Sequence, residues 1–240
     1  MRALRWSLIT LVLVVGLLVA ADRVALELAE DEAAGKIQRS QDLRERPEVS
    51  IKGFPFLTQA LAKRFDEVEA KLSGVKTDAV GTSLRVDQVE MTLHDVELVN
   101  GFSAVTARRA SGHALISYQD LTDAAPPGIR ISYGGKEDGG GRDGSSKVKL
   151  TARVELPLIG PQEHSVYSTV SIVGKDTVRV RADEIPFADQ FPELEKEARK
   201  RTDFDRRIKG LPEGMELKSV TATERGVVVV VEGRDVKLTG

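Results

Sequence analysis

From Trp6 to Ala21 the chain runs sixteen residues without a charged side chain, dense in Leu and Val, directly after Arg2 and Arg5. A basic start followed by a short apolar block is the layout of a secretory signal. Sixteen residues also fall short of the roughly 20 that comfortably cross a bilayer. Val19 and Ala21 suit the small-residue positions before a cleavage site, which would start the mature chain at Asp22. Alternatively, helical residues after Ala21 lengthen the block into an uncleaved anchor. In both cases the basic end stays in the cytoplasm and the remainder crosses. The expected location is therefore extracytoplasmic, in the cell envelope, either secreted or held to the plasma membrane by this segment.

Beyond the block the pattern first reads as helix. Asp22 to Arg46 is rich in Ala, Glu, Leu, Lys and Arg, with a thin apolar stripe through Val24, Leu28, Ala33 and Ile37, and Pro47 is expected to stop it. A short strand at Val49 and Ile51 leads into Gly53-Phe54-Pro55-Phe56-Leu57, and Thr58 to Arg64 reads as a brief helix with Leu57 and Leu61 one turn apart.

A period of two then takes over. The runs are Val68, Ala70, Leu72; a second opened by Leu84 and Val86 and continued by Val89, Met91 and Leu93, then Val96 and Leu98; Val105, Ala107, followed by Ala114, Ile116, Tyr118; and Ile129, Ile131, Tyr133. After a glycine-rich break at Gly134 to Ser146 come Val148 to Leu156, Val166 to Ile172 and, across Gly174-Lys175-Asp176, Val178 to Ala182, a hairpin pattern. A second amphipathic helix is expected near Pro186, where Phe187, Phe191, Leu194 and Ala198 share a face. Two more strands flank Glu224-Arg225-Gly226. Strands with one apolar and one polar face make an antiparallel sheet wetted on one side. About ten such strands with a helix near each end give an α+β fold. Two helices cannot cover so large an apolar face, so the sheet must curl, pack as two layers, or enclose something apolar. The expected domains are residues 1–21 as signal or anchor and 22–240 as one β-rich domain containing the 134–146 loop.

Charge and composition then narrow the function. The residues after Ala21 hold 33 basic and 37 acidic side chains, a formal charge of −4, which argues against bulk attraction to nucleic acid. Cysteine is absent, so disulfides, thiol chemistry and thiolate metal sites are excluded. His94, His113 and His164 form no metal-binding motif, and no nucleophile elbow or S-x-x-K motif occurs. Gly139 to Gly144 satisfies G-x-G-x-x-G, but a strand follows it where a dinucleotide site needs a helix. No catalytic residue, metal or cofactor is expected. Residues 196–209 are locally basic, with Lys196, Arg199 and Lys200 placed to meet anionic headgroups; a solvated helix face with pairs such as Glu195 and Arg199 explains them equally. The Phe54-Pro55-Phe56-Leu57 cluster is either a packed corner or an apolar lip for acyl chains.

Two blocks carry a family resemblance. Pro47-Glu48-Val49-Ser50-Ile51-Lys52-Gly53-Phe54-Pro55-Phe56-Leu57-Thr58-Gln59 resembles a strand running into G-F-P-F-L. Leu211-Pro212-Glu213-Gly214-Met215, followed by Leu217, Val220 and Gly226, resembles L-P-x-G-hydrophobic before a last hairpin. Both are signatures of the LmeA-like phospholipid-binding proteins of the actinobacterial envelope. The resemblance implies an exported phospholipid binder that supports envelope lipids or glycolipids. It also implies a sheet rolled around or packed on helices, similar to tubular (TULIP-like) lipid-binding domains. Phospholipid and membrane are the expected partners. The expected lipid-contacting residues are Phe54, Phe56, Leu57, Leu61, Phe187, Phe191 and Leu194. The competing expectation is a membrane-anchored module that positions a partner enzyme and carries no lipid.

Overall fold

A computed structural model of the chain describes residues 2–79, 82–99, 104–125, 127–135, 146–156, 160–185, 195–196, 199, 202–208 and 211–239. The expected helix face at Phe187, Phe191 and Leu194, the cation Lys200, and most of the glycine-rich loop lie outside these residues.

The first helix, α1 (Arg2–Ser40), joins the apolar block and the charged segment into one element of 39 residues, about 58 Å at 1.5 Å per residue. It stops before Pro47, for a local reason. Asp42 takes a left-handed conformation (φ 49°) and the Leu43 N–H donates to Gln38 O at 3.0 Å. Leu43 is buried beneath this turn, the usual apolar companion of a left-handed helix cap.

Two antiparallel sheets follow, so the expected α+β class holds. The strands are β1 (Glu48–Lys52), β2 (Arg64–Ala79), β3 (Thr82–Val99), β4 (Ala104–Ile116), β5 (Ile129–Tyr133), β6 (Ser146–Leu156), β7 (Gly160–Val173), β8 (Thr177–Ala182), β9 (Phe204–Arg207), β10 (Glu213–Thr223) and β11 (Gly226–Thr239). The six-stranded sheet has the order β1-β2-β3-β4-β11-β10 and the five-stranded sheet β5-β6-β7-β8-β9. Two short helices, α2 (Phe56–Ala62) and α3 (Tyr118–Ala124), sit at strand junctions. The α1 helix lies against edge strand β1, where Glu30 Oε1 accepts the Ile51 N–H at 2.7 Å and so occupies a donor of that edge.

One transverse crease crosses the larger sheet. Its ladders skip Asp66 on β2, Asp95 on β3, Arg108 on β4 and Asp235 on β11, then resume in the same register. Asp95 and Asp235 have φ of 52° and 51°, a conformation that short polar side chains tolerate best. Inward positions on either side of the crease are therefore three residues apart instead of two. Leu93 and Val96 are both buried, as are Ala107 and Ala110. The crease accounts for the phase slip between Leu93 and Val96 within the run that forms β3. Gly214, beside the crease on β10, has φ 92°, and a Cβ there would come within 2.6 Å of Arg234 O. The glycine of the C-terminal signature is thus a steric requirement of the bent sheet.

The sheet buries its inner face in two clusters. Near α1 these are Phe56, Phe65, Leu93, Val96, Ala107, Ala110, Met215 and Val236, with Ala25, Leu26 and Ala29 of the helix packed on them. At the other end Leu217, Val220, Ala222, Val227 and Val229 meet Val148, Val170 and Val180 of the smaller sheet. Part of the apolar surface is therefore covered by α1 and part by a second layer. Within the second cluster the fully buried Ser168 hydroxyl has no hydrogen-bond partner among the described residues. Ser168→Ala removes an unmet polar group at almost constant volume. It should leave stability unchanged or raise it by about 1 kcal/mol, read as the midpoint of urea unfolding.

Candidate functional site

The inner face between the two clusters carries rows of facing residues. One row runs Ala70–Met91–Gly112–Val231–Leu217 across β2, β3, β4, β11 and β10; the next runs Leu72–Val89–Ala114–Val229–Val220. On β4 the inward positions Ala107, Ala110, Gly112 and Ala114 are all small, while β3 offers Val96, Leu93, Met91 and Val89 beside them. This makes a trough along β4 with bulkier walls. A Cβ on Gly112 would meet Val231 Cγ2 at 2.9 Å, so the trough floor is already tight at its centre. Toward β2 it opens, and Val68, Ala70, Leu72, Val89 and Met91 are only half-buried. Ionisable side chains occupy the opposite face, where His94 Nδ1 lies 3.1 Å from Glu67 and a cleft is lined by His94, Arg109, Glu216, Glu232 and Arg234. The apolar and polar surfaces are thus separated by the sheet itself.

The Phe54–Leu57 corner divides its residues between these environments. Gly53 adopts φ 101°, and Pro55, joined to Phe54 by a cis peptide, precedes the first turn of α2. Phe56 turns inward, 6 % exposed, and stacks on Phe65 with ring centroids 6.1 Å apart. Phe54, Leu57 and Leu61 point outward at 62 %, 39 % and 86 % exposure. The corner is fixed to α1 by a buried carboxylate: Asp22 Oδ1 accepts the Leu57 N–H at 2.8 Å, and Asp22 Oδ2 accepts from the Arg23 guanidinium at 2.5 Å. Arg23 in turn lies 5.2 Å from the centre of the Phe54 ring. Nothing in the sequence marked Asp22 as part of this corner, because 35 residues separate it from Leu57.

The basic segment is less available than its composition suggests. Arg199 contacts Glu195 at 2.8 Å and Asp203 at 3.5 Å, and also donates to Ala182 O. Asp205 receives Arg179 and Arg181 at 2.8 and 2.9 Å, and Arg207 pairs with Asp176. Lys196 is exposed. The Arg179 guanidinium, helped by Arg181, holds the Asp205 carboxyl down at about 2. Elsewhere burial, with the nearby Tyr133, pushes the Tyr118 phenol up to about 12, and its hydroxyl donates to Thr223 O at 2.7 Å. Among the described residues no group of His, Asp or Glu is arranged to hold a metal ion.

The family model described as LmeA-like phospholipid-binding matches residues 20–232, and the chain belongs to that family. No curated protein and no solved structure matches it.

Two predictions follow from the packing and the ion pairs. Phe56→Ala should cost about 3–5 kcal/mol in urea unfolding, whereas Leu61→Ala should stay within about 0.5 kcal/mol of the parent. Asp205, depressed in the fold, stabilises the β8–β9 pair above the ordinary carboxylate range, and this contribution is lost as pH falls from about 4 toward 2. The protection factors of the β9 amides, corrected for intrinsic exchange, should therefore fall over that interval, and Asp205→Asn should flatten the response.

Proposed function

We propose that this member of the LmeA-like family is a membrane-tethered, extracytoplasmic protein that binds phospholipid acyl chains on the inner face of its larger sheet and thereby supports envelope lipids. The observation that carries the reading is the half-buried apolar strip of Val68, Ala70, Leu72, Val89 and Met91, which opens from a trough of small residues. Removing an acyl chain from water on such a surface stabilises the complex by roughly 0.8 kcal/mol per methylene, and needs no directed chemistry. The headgroup would remain in water, and exposed Lys196 is a cation its phosphate could meet.

Tethering is supported by α1, whose segment from Leu4 is long and apolar enough to cross a membrane. The helix runs unbroken past Ala21, and Asp22 and Arg23 are engaged with the corner of the domain. Export follows from the basic residues that precede the apolar block. Retention of the helix would confine the domain to lipids within reach of its own bilayer.

The test is to purify the full chain from a host membrane fraction in mild detergent and count bound lipids by native mass spectrometry and extraction. At least one phospholipid per chain is expected. Ala70→Trp, which places a large ring on the open strip, should reduce occupancy several-fold with little change in far-ultraviolet circular dichroism. A parent protein free of lipid would defeat the reading and favour a module that positions another protein at the membrane.

A further inference from the structure

The uncharged part of α1 that reaches Asp22 is the sixteen residues Trp6 to Ala21, about 24 Å of helix, less than the roughly 30 Å of a bilayer's hydrocarbon core. Among the described residues none covers it: Leu17 and Leu18 are 72 % and 61 % exposed. Its first following charge, Asp22, is shielded inside the protein and bonded to Leu57. That 2.8 Å contact fixes the height of the corner relative to the helix. Phe54, Leu57 and Leu61 therefore present their exposed surface where the apolar segment ends.

We propose that the Phe54–Leu61 corner is a second membrane contact, seated in the headgroup–acyl boundary of the phospholipid bilayer that α1 crosses. The occupant is argued from continuity and chemistry. Exposed apolar side chains continue the lipid-facing surface of the helix, and the Arg23 guanidinium beside the Phe54 ring sets a cation next to an aromatic at the depth where phosphates lie. A span shorter than the hydrocarbon core is accommodated by local thinning of the bilayer, which brings headgroups nearer to residues flanking the span. The corner thus sets the domain's orientation, with the α1 end of its inner face against the membrane. The inference rests on the reading of α1 as a retained span, and it is independent of whether lipid occupies the trough.

The experiment uses the full chain in phosphatidylcholine–phosphatidylglycerol vesicles, with Trp6, the lone tryptophan, changed to Phe. Single tryptophans are placed by Leu61→Trp, by Leu18→Trp in the span, and by Tyr167→Trp, an exposed position on the smaller sheet. Vesicles containing lipid brominated near the headgroup end of its acyl chains should extinguish most of the Leu61→Trp emission and shift it to the blue, while leaving Tyr167→Trp unaffected. Quenching of Leu18→Trp by deeper bromines reports the span separately. If Leu18→Trp is quenched and Leu61→Trp stays in water, the helix crosses but the corner does not seat, and the proposal fails. If neither is quenched, it fails together with the span. If equal quenching of Leu61→Trp persists in detergent with only bound brominated lipid, the corner touches cargo, and bilayer seating is overturned. Because cargo occupancy is read by mass spectrometry, an empty trough with a quenched Leu61→Trp would leave the seating intact and remove only the cargo reading.

Discussion

The buried carboxylate of Asp22 is the joint on which the molecule turns. A carboxylate at the end of an apolar helix is costly to hold against lipid, and it needs hydrogen bonds once removed from water. Here the Leu57 N–H and the Arg23 guanidinium provide them. The same bonds weld the helix to the first turn of α2, and Phe56 then closes the core beneath by stacking on Phe65. The Asp22 contact, with Ala25, Leu26 and Ala29 packed on the core, fixes where a long helix leaves a β-rich domain. Glu30, accepting from Ile51, and Asp31, paired with Arg46 at 3.2 Å, extend that attachment along the next turns.

Given this joint, the larger sheet must solve a second problem, which is how to bury an apolar face that two helices cannot cover. The crease at Asp66, Asp95, Arg108 and Asp235 bends four strands at one level without changing their register. On one side the face packs against α1; on the other it packs against the smaller sheet through Leu217, Val220 and Val229. Between them the face is lined by small residues on β4 and stays half-open along β2 and β3. A flat sheet of the same composition would expose a broad apolar surface and risk association with other chains. Bending confines that surface to the half-buried positions along β2 and β3. The polar face keeps its charges in local pairs, such as His94 with Glu67 and Lys218 with Glu232.

Much of this was legible along the chain. The uncharged block after Arg2 and Arg5 forms part of a helix long and apolar enough to span a membrane. The period of two in Val148 to Leu156 and in Val178 to Ala182 corresponds to β6 and β8, and the two signature blocks identified the family that the family model confirms. Less accurate was the helix stop, set by Asp42 and Leu43 and not by Pro47, and the start of α2 at Phe56 instead of Thr58. Both depend on one residue's backbone conformation, which side-chain periodicity does not report. The run from Leu84 to Leu98 corresponds to β3, and its phase slip between Leu93 and Val96 marks the crease. A phase slip in alternation has the same appearance whether it marks a turn or a crease.

What the sequence determined by itself is which strand faces are apolar and which polar, because hydrophobic periodicity acts through nearest neighbours and survives any arrangement of the strands. Tertiary structure alone decided which of four consecutive residues at the corner faces which environment. Phe54, Phe56 and Leu57 are equally apolar in a list, yet Phe56 is core while Phe54 and Leu57 are not. The cause is the Asp22 contact, made across 35 residues, together with the local turn of α2. The basic segment divides in the same way. Arg199 is paired locally, with Glu195 and Asp203 four residues to either side, as its spacing allows, whereas Arg207 pairs with Asp176, 31 residues away. Contacts of this range depend on where the chain returns in space, and no period along it encodes that return.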